Sequence, residues 1–129
     1  MATENALLSD LHFEHKVWIN EMNFFEDEIQ TFERRLEELA RQYLPKREVM
    51  VDLEHFQNQF IRQKEVINDL KQGIRRHEQF LAQAAESNPA GVDKPNFQDH
   101  TALRERMETF RKIYLDLKGD FFQYAAKWI

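Results

Sequence analysis

The chain has 129 residues, enough for one domain, with three glycines, three prolines and no cysteine. The lack of cysteine excludes disulfides, thiolate metal sites and cysteine nucleophiles. A formal charge of −5 argues against nucleic acid as the main partner, because backbone phosphates must be met by Lys and Arg.

Charged residues make up 32% and hydrophobic ones 42%, a balance that fits a soluble helical protein. The opening stretch, MATENALLSD, has neither a basic segment nor a long apolar run. No stretch approaches the ~20 consecutive apolar residues of a membrane span. A cytoplasmic chain with no membrane partner is the expectation.

The first element is predicted over roughly 9 to 44, with Ser9 as its N-cap and Leu8 and Phe13 spaced as a hydrophobic staple. Its apolar stripe runs Leu8, Leu11, His15, Trp18, Met22, Phe25, Ile29, Phe32, Leu36, Leu39, Tyr43. Steps of three and four alternate without a fault, which is a heptad seam. Pro45 breaks the phase, since continuing the seam would put Lys46 and then Gln57 in the core. A reversal explains this better than a kink.

The second helix is predicted over 46 to 87, with the seam Val49, Leu53, Phe56, Phe60, Gln63, Ile67, Leu70, Ile74, His77, Leu81, Ala84. Lys71, Arg75 and Arg76 cluster on it, between Asp69 and Glu78, and read as a solvated face. Gly73 is expected to make room for Trp18 or for a close helix approach. A loop follows over 88 to 95, marked by Pro89, Gly91 and Pro95. The third helix is predicted over 96 to 128, with Asn96 and Asp99 resembling a capping box. Its seam is His100, Leu103, Met107, Phe110, Tyr114, Leu117, Phe121, Tyr124, Trp128.

Three such seams predict an all-α fold, an elongated antiparallel up-down-up bundle of coiled-coil type, formed as a single domain over residues 1–129. Reflecting the chain about the Pro45 turn pairs residue 15 with 77. With flush ends the layers run from His15/His77/His100 through Ile29/Gln63/Tyr114 to Tyr43/Val49/Trp128. Gln63, the lone amide in a seam, then falls beside the Tyr114 hydroxyl and is expected to hydrogen-bond it.

One histidine from each helix falls in the first layer. Three imidazoles match a zinc site with a fourth position for water, and iron, copper or nickel take similar ligands. His12, one turn before His15, is expected to add a ligand or to orient one. Glu14, Glu78 and Asp99 are near enough to serve as acceptors for the imidazoles. The competing explanation is a wet, hydrogen-bonded bundle end with no metal. Glu-x-x-His, Cys-x-x-Cys-His, His-x-x-x-His and glycine-rich phosphate loops do not occur, so carboxylate-bridged di-iron, haem-attachment, hemerythrin-like and phosphate-loop chemistry are not supported.

Outside the seams, Phe13, Val17 and Phe24, with Asn20 between them, share the outward face of the first helix. Such a strip suits a fourth helix from a protein partner or a second copy, unless the third helix or the loop near Phe97 covers it. The leading function is therefore a non-enzymatic interaction or scaffold module, self-associating as a dimer through that face. A transition-metal protein, with zinc favoured, comes second, and a metal-dependent hydrolase third.

Overall fold

A computed structural model describes residues 7–43, 46–87 and 91–128. They form three helices: α1 over Leu8–Tyr43, α2 over Arg47–Ala85 and α3 over Lys94–Ala126. No strand occurs among the described residues; one isolated bridge joins Leu7 to Gly91. No helix is long and apolar enough to cross a membrane among these residues. The reversal expected at Pro45 and residues 88–90 of the loop lie outside the described residues.

The ends differ slightly from expectation. Ser9 lies inside α1 rather than capping it, and Phe13 is too exposed to staple the entry. Asp93, not Asn96, caps α3: its carboxylate accepts from the Asn96 backbone N–H at 2.9 Å and from the Asn96 amide at 3.1 Å. Pro95 then occupies the first turn of α3, where its missing N–H costs nothing.

Burial follows the three seams. Every seam residue from Leu11 to Leu39, Val49 to Leu81 and His100 to Tyr124 is buried, with the ends at Leu8, Tyr43, Ala84 and Trp128 half-buried. Lys71 is the single exception beside them, 8% exposed, its ammonium paired with Glu26. It belongs to a helix–helix contact rather than to a solvated basic face.

Ion pairs give the helix directions. Glu14, Glu21 and Glu28 of α1 meet Arg104, Arg111 and Lys118 of α3, so numbering rises together and these helices run parallel. Glu33 and Glu26 meet Lys64 and Lys71 of α2, where numbering runs oppositely. The result is up-down-up. Aromatic contacts repeat the register down the core: Phe25 with Phe110 at 5.8 Å, Phe32 with Phe60 at 5.6 Å, Phe56 with Phe121 at 5.7 Å, Tyr43 with Trp128 at 5.1 Å. At the far end the Tyr124 hydroxyl donates to the Val49 carbonyl and that of Tyr43 to the Trp128 carbonyl.

One side-chain expectation is corrected. Tyr114 donates to Glu28 at 2.9 Å, not to Gln63, because Glu28 reaches in from the α1–α3 flank where Lys118 also holds it at 2.7 Å. Gln63 makes no hydrogen bond among the described residues and opens onto a groove between α2 and α3. Gly73 faces α3 rather than Trp18: a methyl there would lie 3.3 Å from the Arg106 guanidinium and 3.4 Å from Leu103. The close-approach reading of this glycine is the one the packing supports.

Candidate metal centre

The seam positions of α1, α2 and α3 bring His15, His77 and His100 together at one end of the core, all three buried. The α2–α3 connection sets His100 level with His77 rather than above it, their ring centroids 5.5 Å apart. His15 lies 5.1 Å from His77 and 5.0 Å from His100 by the same measure. Trp18 closes the layer from below, stacked on His100 at 4.8 Å.

Each imidazole is held from outside by one nitrogen. Glu78 takes His15 Nδ1 at 2.8 Å, Glu14 takes His100 Nε2 at 2.6 Å, and the Asn96 backbone carbonyl takes His77 Nε2 at 3.0 Å. The nitrogens left over are His15 Nε2, His77 Nδ1 and His100 Nδ1. The first two are 3.1 Å apart, and the third is buried with no partner. One ring nitrogen of each histidine lies within 4.8 Å of one from each of the others. If the outer nitrogens carry their protons, three lone pairs are left at the centre of a buried layer, where a cation suits them best.

The electrostatics favour neutral rings at His77 and His100 and ionised carboxylates at Glu14 and Glu78. Burial lowers the His77 pKa and the charge of His15 adds to this, outweighing the Asn96 carbonyl and the acids Asp99 and Glu78. Burial likewise lowers His100, against the opposing pull of Glu14. For Glu14, partial burial pushes the carboxyl up, but Arg104 and His100 together hold it below the usual range. Glu78 is held down similarly by His15 and His12, also against burial.

Of the two expectations for His12, the structure has the orienting contact. His12 is exposed, and its Nδ1 meets the second oxygen of Glu78, so it braces the acceptor of His15 from outside the cluster. Asp99 makes no hydrogen bond to any of the three rings. The Asn96 carbonyl is the contact that sequence reasoning missed, since a backbone atom leaves no residue-type signal.

Phe13, Val17 and Phe24 are 67%, 45% and 57% exposed, so neither α3 nor the segment around Phe97 covers them. No protein-family model, curated protein sequence or solved structure matches the chain.

Proposed function

We propose that the protein binds a transition-metal ion, zinc favoured, through His15, His77 and His100. The observation carrying this reading is the division of labour on each ring, one nitrogen held by an acceptor and the other turned to a common centre. In a tetrahedral zinc site with bonds of about 2.0–2.1 Å, donor atoms lie about 3.3 Å apart. The His15–His77 edge, at 3.1 Å, is close to that already. Acceptors on the outer nitrogens fix the tautomers and raise ligand basicity, as they do around zinc elsewhere. A fourth position remains for water or a small ligand.

The test is thermal unfolding of the metal-free full chain with zinc, nickel, cobalt or ferrous iron, against a His15→Ala/His77→Ala variant. A rise in Tm in the parent that the variant lacks supports the site. No rise with any ion well above micromolar concentration overturns it and leaves a hydrogen-bonded bundle end.

A second reading has its own observation, the exposed Phe13/Val17/Phe24 strip on the face of α1 turned away from the core. We propose that this face is an interaction surface for a helix. Val17→Glu/Phe24→Glu should keep the helical content by circular dichroism and abolish association. Association that survives these changes overturns the surface.

A further inference from the structure

α1 is tied to both neighbours by ion pairs, but no ion pair crosses the α2–α3 seam among the described residues. The two helices approach closely at Gly73, and a surface groove of about 590 Å³ lies along their seam, lined by Val66, Leu70, Phe110 and Ile113 and by the charged Arg62, Glu105 and Arg106. Gln63 lies in this groove, 6% exposed and without a hydrogen bond among the described residues, Tyr114 having turned to Glu28. An amide offers a donor and an acceptor together, so its natural complement is a second amide. A polar residue of this kind in a helix seam selects partner and register.

The outer face of α1 carries the matching pattern. Phe13, Val17, Asn20 and Phe24 step by four, three and four, and the exposed Asn20 has no hydrogen bond among the described residues. Laid antiparallel to α2, with Asn20 against Gln63, this face sets Val17 against Val66 and Phe13 against Leu70. Phe24 falls level with Gln59, one turn beyond Gln63 on the Ile113 side of the groove. Asp10 falls against Gly73, over which the Arg106 guanidinium lies; neither Arg106 nor the neighbouring Arg76 has an ion-pair partner among the described residues. Two apolar steps, the amide pair and the Asp10–Arg106 charge pair fall in one register.

We infer that the occupant of the α2–α3 groove is the outer face of α1 from a second copy of this chain. The inference rests on the reading of that face as an interaction surface and names what it meets. The incoming α1 runs antiparallel to α2, as the chain's own α1 does, so all copies point the same way. Gln63 layers with Ile29 within the chain and with Asn20 across the contact, a stagger of nine residues or about 14 Å. The outer face of α1 and the α2–α3 groove lie on opposite sides of the bundle. The contact is therefore heterologous, head to tail, and it extends rather than closing into a two-fold dimer.

Sedimentation velocity of the full chain, from micromolar to millimolar, tests this with two variants. Val17→Glu/Phe24→Glu removes the strip but keeps the groove; Val66→Glu/Ile113→Glu blocks the groove but keeps the strip. The parent should gain mass with concentration without reaching a closed size. Each variant alone should be monomeric with parental helicity. Their equimolar mixture should double in mass and stop there, because one intact strip meets one intact groove. Should the double groove variant lose helicity, Ile113→Glu alone, at a half-exposed position, replaces it. A parent that stays monomeric overturns the self-docking and leaves the α1 face to a foreign helix. Association lost in the strip variant but unchanged in the groove variant overturns the groove as the docking site while the α1 surface stands. A mixture that stays monomeric, or grows past the dimer, also overturns the inference.

Discussion

At the residue scale, Gln63 and Tyr114 separate what a seam position is from what its polar atom does. Tyr114 is fully buried as a ring, yet its hydroxyl reaches the edge of the bundle and donates to the Glu28 carboxylate that also holds Lys118. Hydrogen bonds to charged groups contribute about 1.5–3 kcal/mol, so Tyr114→Phe should destabilise by about that much in urea unfolding. Gln63 has no such bond to lose. Gln63→Leu should leave the stability of the single chain within about 1 kcal/mol of the parent or raise it slightly. Because the two side chains share no hydrogen bond, the double variant should be additive within about 0.5 kcal/mol. A coupling well above that would show that the amide and the phenol interact after all.

At the element scale, α1 clamps the other two helices with carboxylates on both of its flanks. Glu14 and Glu21 each hold an arginine with both oxygens, Glu21 with Arg111 at 2.6 and 2.8 Å. Lys71 is the most buried cation in this arrangement, and Glu26, its partner, is about one-third exposed. Glu26→Gln leaves the ammonium without a counter-charge and should cost about 2–3 kcal/mol, less than in a dry pair because water reaches Glu26. Lys71→Met removes the desolvation penalty along with the pair, so its effect should lie within about 1 kcal/mol of zero. Denaturant midpoints for the two variants check the asymmetry. Equal losses would mean that Lys71 acts as an ordinary surface lysine. Arg62 and Glu65, both exposed and one turn apart on α2, should matter by less than about 0.5 kcal/mol.

For the whole molecule, the histidine end sets the response to acid. His77 and His100 have folded pKa values below the unfolded value of about 6.5, so the folded state resists proton uptake there. Their contribution to stability is present above about pH 6.5 and is lost as pH falls from there through the folded values. Glu14 and Glu78 are also depressed, and their share is lost in turn as pH falls below the ordinary carboxylate range. The metal-free protein should therefore lose stability in two stages on acidification, the first below about pH 6.5. With metal bound, the first stage should steepen, since protons compete with the ion for imidazole. Unfolding midpoints across the pH range, for the parent and for His77→Ala/His100→Ala, check this; a first stage unchanged in the variant would place its origin elsewhere.

Periodicity and the phase break at Pro45 determined the three helices, the antiparallel course of α1 and α2 and the level shared by His15 and His77; the α2–α3 connection decided that His100 joins them. A heptad seam leaves one inward face, and the break at Pro45 fixes which residues can share a level. The residues that hold those rings were legible only in part. Glu14 and Glu78 lie next to seam positions and had to be near, but nothing in the spacing says which imidazole each would take, or that His12 would brace Glu78 instead of joining the cluster. Tertiary structure decided these contacts, as it decided that Tyr114 turns to Glu28 and that Lys71 is buried. The physical reason is that apolar burial depends on which way a helix faces, which a period of three and four encodes. A flanking polar side chain chooses among several partners within reach, and the choice depends on the separation and rotation of whole helices.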